Sequence, residues 1–286
     1  MKKILMASDL SPRSDRALQR SFALARQHGA ALRVVNVVDE HLPAELREHS
    51  IDWARKRLAN EIAPLSAATG VVADVTVKAG SPRRAIAEMA AEWSADLLVL
   101  GIHDEQKRGK GLFGETTAAS ILKGSTAPVL LVTGDASAAY GKIVIGVDFS
   151  PLSRAALRQA VSIAPQAQYH LVHAYHVPFK GFLGSENVAA EIEREERAAF
   201  DAFIAGEMDY LAVQARISGV APDALHTEMH DGMAASVLHT ACSRLGADLL
   251  VMATNGRAGL SRAIWGSVAR DLLDYPPCDV LVIKPY

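Results

Sequence analysis

Short apolar runs alternate with longer stretches of helical periodicity along the whole chain. Runs at 3–8, 31–38, 72–79, 96–101 and 128–133 predict five strands in the first half, and runs at 142–148, 169–177, 224–230, 248–254 and 279–284 predict five in the second. Most are rich in Val, Ile and Leu rather than strictly alternating, as strands covered on both faces are. Strand and helix in regular succession predict βαβ units around a parallel sheet. After the first strand of each half, Ser11-Pro12 and Ser150-Pro151 offer a capping hydroxyl and then a proline at the first helical position, where its missing N–H costs nothing. A second helix follows in each half, with Ile51, Ala54, Leu58, Ile62 and Leu65 on one apolar stripe and Val188, Ile192, Ala199, Phe203 and Tyr210 on the other. Charges such as Arg55, Lys56, Arg57, Glu191, Glu193 and Arg194 fill the remaining faces and read as solvated surface.

The two halves are copies. Lys3-Ile4-Leu5-Met6-Ala7-Ser8-Asp9-Leu10-Ser11-Pro12 returns as Lys142-Ile143-Val144-Ile145-Gly146-Val147-Asp148-Phe149-Ser150-Pro151, an offset of 139 (142 less 3). Further on, Asp96-Leu97-Leu98-Val99-Leu100-Gly101 returns as Asp248-Leu249-Leu250-Val251-Met252-Ala253 at an offset of 152, so the second copy carries 13 extra residues in its middle. A repeat this long marks two whole domains rather than a solenoid array. The expected fold class is α/β: two doubly wound, five-stranded parallel-sheet domains in tandem, over 1–137 and 138–286. The small, polar segment 133–139 reads as the linker, too short to let the copies separate far. The apolar final strands would be hazardous as bare edges, and antiparallel pairing of one with the other, an intrachain pseudo-dimer, would remove the hazard. A homodimer is left open.

Bulk properties narrow the field. The chain has 30 Lys and Arg against 32 Asp and Glu, so no basic field exists to hold a nucleic acid. No run reaches the ~18 apolar residues of a membrane span, and Met1-Lys2-Lys3 leads directly into a strand, so a soluble, cytoplasmic protein is expected. Cys242 and Cys278 have no CxxC spacing and are expected to be buried, reduced thiols. The 10 histidines include His170, His173 and His176, which alternate faces on a strand, and His226, His230 and His239; none forms an HxH or HExxH motif. Gly109-Lys110-Gly111-Leu112-Phe113-Gly114 matches GxGxxG by letter but stands outside the first βα turn, and no Walker motif occurs.

One loop carries chemistry. After the fourth strand of the second half, Gly256 and Gly266 are separated by nine residues and Ser267 follows. Glycine lets backbone N–H groups approach an anion, and a helix opening at Gly266-Ser267 would point its positive dipole end at a phosphate. The plain alternative is a tight strand-to-helix loop with Ser267 as an ordinary N-cap.

With the repeated halves, the aspartate closing each first strand and this spaced glycine-serine loop, the chain resembles the universal stress protein family in its tandem form. That family's nucleotide-binding members carry G-x2-G-x9-G-[S/T] on an adenine nucleotide alpha hydrolase-like sheet with flavodoxin-like layering. The resemblance implies that ATP with Mg²⁺, or a related adenine nucleotide, binds in the second half. Asp148 would line its adenosine end, Tyr175 the adenine, Ala253 and Asn255 the ribose, and Gly256, Gly266, Ser267 and Val268 the phosphates. Ala253 stands where the motif has its first glycine. At the same offset the first half offers Gly101, Asp104, Gly114 and Glu115. A carboxylate facing a phosphate at 4 Å is repulsive by about 4 kcal/mol at an effective dielectric of 20, so the first copy is expected to bind ATP poorly.

The resulting expectation is a stress-response protein that binds ATP in its second domain as sensor or regulator, acts on an unidentified protein partner, and hydrolyses ATP slowly if at all. Asn255 and Ser267 are poor general bases at neutral pH. The alternatives are a nucleotide-independent interaction platform, and a hydrolase or transferase acting on a phosphorylated metabolite.

Overall fold

The computed structural model describes residues 1–102, 117–134, 136, 138–177, 185–221, 223–254 and 267–284. The first half runs β1 (Lys3–Ala7), α1 (Pro12–His28), β2 (Ala31–Asp39), α2 (Ala44–Thr69), β3 (Ala73–Gly80), α3 (Pro82–Glu92), β4 (Leu97–Gly101), α4 (Thr117–Gly124) and β5 (Val129–Val132). The second runs β6 (Lys142–Val147), α5 (Pro151–Ile163), β7 (Gln168–Tyr175), α6 (Ser185–Ala205), α7 (Met208–Ser218), β8 (Leu225–Asp231), α8 (Ala234–Leu245), β9 (Leu249–Ala253), α9 (Ser267–Asp274) and β10 (Asp279–Ile283). Every strand expected from the apolar runs is present.

The chain forms two compact units, one from Met1–Ala139 with Leu273–Tyr275 and Asp279–Tyr286, the other from Tyr140–Leu272 with Pro276–Cys278. In the first, the strands lie in the order β3-β2-β1-β4-β5-β10. The neighbours from β3 to β5 are parallel, and β10 runs antiparallel to β5 with Leu281 opposite Leu130. In the second, the order is β9-β6-β7-β8, all parallel. The final strand of the second copy thus belongs to the first unit's sheet, where β5 and β10 cover each other's edges as their composition demands.

Matching details mark the units as copies. Asp96 Oδ2 accepts the backbone N–H groups of Lys2 (2.6 Å) and Lys3 (3.0 Å), and Asp248 Oδ2 those of Gly141 (2.8 Å) and Lys142 (2.9 Å). Each carboxylate anchors the start of its unit's first strand. The strand cores are dry: Ile4, Leu5, Met6, Leu97, Leu98 and Val99 in the first unit, and Ile143, Val144, Ile145, Leu249, Leu250 and Val251 in the second, have no exposed surface.

Three local expectations needed revision. Only Ser150 caps its helix, accepting from Ser153 N–H; the Ser11 hydroxyl turns back onto Asp9 instead. The single second helix of the second half is two, α6 and α7, broken at Gly206-Glu207. Glu207 is 1% exposed and takes Arg154 Nη1 (2.9 Å) and Arg158 Nε (2.8 Å) from α5, which draws the chain inward there. A Cβ on Gly206, the residue before it, would stand 2.8 Å from Arg154 Nη1 and displace the end of that side chain. Burial alone would raise the Glu207 carboxyl, but its two arginines outweigh that and hold it below the ordinary range. Both cysteines are free, and whereas Cys242 is buried as expected, Cys278 is only partly so, because it lies in the turn before β10 rather than on it.

Candidate functional site

A doubly wound sheet opens a crevice where its strand order reverses, at the carboxyl ends of the two strands on either side. In the second unit the chain moves outward from β6 to β7 and β8, then returns to the far side of β6 for β9. The reversal therefore falls between β6 and β9. Asp148 directly follows β6, Ala253 closes β9 and Tyr175 closes β7, so three of the expected site residues share this edge. Ser267, exposed, and Val268, partly buried, open α9. Asn255, Gly256 and Gly266 lie outside the described residues, as do Asp104, Gly114 and Glu115 of the first half.

Asp148 is held by its own turn. Its N–H donates to Ser153 Oγ (3.0 Å), and its Oδ1 accepts from Ser150 N–H (3.1 Å) and from the Ser153 hydroxyl. The next residue, Phe149, sits in the left-handed region at φ +64°. The first unit repeats this at Asp9, whose N–H donates to Ser14 Oγ (3.0 Å) and whose Oδ1 accepts from Ser11 N–H (3.0 Å) and Ser14 Oγ (2.6 Å), with Leu10 at φ +60°. One charge separates them: Arg13 Nη1 lies 3.8 Å from Asp9 Oδ2, and the corresponding residue in the second unit is Leu152. Burial would raise the Asp9 carboxyl; the Ser11 and Ser14 hydrogen bonds, with Arg13, overcome it and hold Asp9 below the ordinary carboxylate range.

The crevice itself differs. Met6 pairs with Val99 in the first unit as Ile145 pairs with Val251 in the second, so Gly101 and Ala253 occupy the same place in register. A Cβ on Gly101 would stand 2.5 Å from the backbone oxygen of Arg13 in α1. The first turn of α1 is closed onto the end of β4. Ala253 carries a methyl at that place, which the backbone of the first turn of α5 has to clear.

Helix phase also adjusts the match between the two phosphate loops. Buried Ile121 and Leu122 in α4 correspond to buried Leu272 and Leu273 in α9, and Leu122 precedes Val129 by the same spacing as Leu273 precedes Val280. That fixes an offset of 151 (273 less 122), one fewer than in the fourth strands. Ser267 then corresponds to Thr116, and Glu115 stands in place of Gly266. The acid in the first half replaces a glycine rather than a hydroxyl.

The sequence reading missed a buried polar residue behind each aspartate turn. Asn36 Nδ2 donates to Ser8 O (2.9 Å), and His173 Nδ1 lies 2.7 Å from Val147 O. The signal was a single polar side chain within an apolar strand, Val35-Asn36-Val37 and Val172-His173-Ala174. On the opposite face of β7, His170 stacks on His226 (centroids 4.7 Å apart), with its Nδ1 3.7 Å from Glu228 Oε1. Among the described residues no group of three or more His, Cys, Asp or Glu could hold a metal ion, and no helix is long and apolar enough to cross a membrane.

Comparison with known proteins agrees with this architecture. The universal stress protein family profile matches residues 1–133 and again 139–284. A universal stress protein of Mycolicibacterium smegmatis is 25% identical, covering 99% of this chain and 97% of its own. Universal stress protein E of Photorhabdus laumondii is 26% identical over 71% of this chain and 66% of its own length, so the match spans just under two thirds of that relative. A universal stress protein from Archaeoglobus fulgidus shares the fold, with a TM-score of 0.70 at 19% identity, covering 98% of this chain and 97% of that one. With two family matches that together take in nearly every residue, and a doubly wound sheet in each copy, the chain belongs to the universal stress protein family.

Proposed function

We propose that this stress-response family member binds ATP, as its Mg²⁺ complex, in the 138–286 copy, and that 1–137 is a copy whose phosphate loop no longer accepts a nucleotide. The observation that carries the reading is the contrast at the reversal point. Gly101 in the first unit has no room for a Cβ against the Arg13 backbone, whereas the second unit carries Ala253 at that place, beside the preorganised turn of Asp148. Ser267 and Val268 begin α9, and the N–H groups and dipole at a helix start favour a phosphate. Mg²⁺ would arrive on the nucleotide phosphates, whose oxygens are its usual ligands. Asp148 is committed to hydrogen bonds within its turn and is poorly placed to act as a base, which fits a sensor or regulator rather than a fast hydrolase. The output would pass to a protein partner, with the two copies acting as an intrachain pseudo-dimer.

Calorimetric titration with ATP and Mg²⁺ tests this. One site per chain is expected. Gly266→Val, which sets a branched Cβ against the phosphate, and Ser267→Glu, which adds a carboxylate, should each abolish it while thermal unfolding stays near that of the wild type. In the first half, Glu115→Gly combined with Asp104→Gly is the change expected to gain affinity. Two equivalent sites, or unchanged affinity in Ser267→Glu, would exclude the loop as the phosphate site. No nucleotide released from freshly purified, denatured protein and no binding in titration would leave the interaction platform as the reading.

A further inference from the structure

β1 ends at Ala7, two residues before Asp9, and β6 ends at Val147, directly before Asp148; the carbonyl preceding each aspartate is that of Ser8 or Val147. A buried polar carbonyl in that position needs a donor. Both units supply one from the neighbouring strand: Asn36 on β2 reaches Ser8 O at 2.9 Å, and His173 on β7 reaches Val147 O at 2.7 Å. A carbonyl oxygen only accepts, so the Nδ1 of His173 carries a hydrogen. The two residues do one job, which is to fix the backbone immediately before Asp9 and Asp148.

They differ in what else they can reach. The remaining donor and acceptor of the asparagine amide sit on the same end carbon as the bonded nitrogen, whereas the imidazole has a second nitrogen on its far side. His173 is 4% exposed, and its Nε2 lies 3.2 Å from Glu196 Oε2 on α6. At that distance the two groups form an ion pair when the ring is protonated. The Phe149 ring, from the residue after Asp148, packs on the same imidazole (centroids 4.3 Å apart) and against Phe200 (5.6 Å) and Phe203 (5.9 Å) of α6. Glu196 and Phe200 are one helical turn apart and present one face of α6 to this cluster. The turn carrying Asp148 is thus joined to α6 on both sides, through His173 before the aspartate and through Phe149 after it.

We propose that His173 is a positioning residue that couples the seating of α6 to the placement of Asp148, so that a partner or condition that moves α6 regulates the adenosine end of the site. The nucleotide part of this inference rests on the function proposed above; the coupling of α6 to the turn does not. The first unit, with Asn36 in the same place, keeps the fixed carbonyl and lacks the coupling.

Amide exchange measured by NMR on the nucleotide-free full chain tests the coupling, read at Ser150, whose N–H is bonded to Asp148 Oδ1. His173→Leu removes the donor and should speed Ser150 exchange roughly tenfold or more. His173→Asn restores the first unit's solution and should return exchange to within about twofold of the wild type. Glu196→Ala, a partly exposed site that does not threaten the core, should speed Ser150 exchange in the wild-type background and leave it unchanged in the His173→Asn background. Equal effects of Glu196→Ala in the two backgrounds, or His173→Asn behaving like His173→Leu, would overturn the proposal. ATP titration of the same variants should weaken in the same order. If the exchange pattern appears but wild type binds no nucleotide, the coupling stands and the nucleotide reading fails.

Discussion

Gly101 and Ala253 show how a single Cβ sets the character of a site. The two residues share a register position, yet a methyl on Gly101 would meet the Arg13 backbone oxygen at 2.5 Å, and neither group is a flexible side-chain end that could swing aside. Gly101→Ala must push α1 away from β4, and overpacking of this kind costs about 1–3 kcal/mol. Ala253→Gly meets no such obstacle and should change stability by less than about 1 kcal/mol, the usual penalty for glycine in a strand. Urea unfolding of the two variants checks this. Equal and small effects would mean that α1 gives way freely, and the contrast between the two units at this position would lose its physical basis.

At the scale of elements, the inner strands were legible because burial on both faces leaves runs of Val, Ile and Leu, and all ten strands lie within a residue or two of the expected bounds, although β3 and β8 are only partly buried. The break between α6 and α7 was not legible, because periodicity reports which face is apolar and not which charge on α5 will pull a glutamate inward. Asp148 and Ser267 were expected from the family spacing, and they lie after β6 and at the start of α9; His173 was not expected, since one histidine in a strand looks the same whether it fills space or fixes a carbonyl. His170, on the other face of β7, yields a prediction of its own. It is buried beside His226, with Glu228, His230, Arg244 and Lys142 around it, and burial first and then His226 push its imidazole below the ordinary value of 6.5. The unfolded chain therefore takes up a proton as pH falls through 6.5 while the folded chain resists. Stability is full above that pH and is lost as pH drops through the lowered folded value. Urea midpoints measured from pH 7.5 to 5 should fall for the wild type and fall less for His170→Phe; parallel profiles would show that this histidine is not the source.

For the whole molecule, the compact units do not coincide with the two stretches of chain, and the consequence can be tested by cutting it. The first unit ends its sheet with β10, contributed by the far end of the sequence. Asp279, at the start of β10, is 2% exposed and accepts Thr133 N–H (2.8 Å) and Gly134 N–H (2.9 Å), and its Oδ2 lies 3.5 Å from Nε of Arg20, itself 4% exposed. Arg20 also donates to Ala138 O (2.6 Å), so one buried ion pair fastens α1, the linker and the last strand together. Just past β10, Lys284 Nζ donates to the carbonyls of Leu122 (2.7 Å) and Lys123 (2.8 Å), satisfying the end of α4. By register and helix phase the residues corresponding to Arg20, Asp279 and Lys284 in the other copy are Gln159, Pro128 and Thr133, so these charges serve this seam alone. A fragment of residues 1–139 would keep Arg20 buried without its carboxylate, which costs about 3–5 kcal/mol. It would also bare the β5 edge, whose four residues have no exposed surface in the intact chain. The fragment should unfold at a much lower urea concentration than the intact chain and associate with itself as concentration rises. Adding 140–286 in trans should restore a monodisperse species and the higher midpoint. Asp279→Ala in the intact chain keeps the edge covered and should lose stability without self-association, separating the ion pair from the strand. A 1–139 fragment that stays monomeric and unfolds at the intact chain's midpoint would show that β10 is dispensable to the unit it completes.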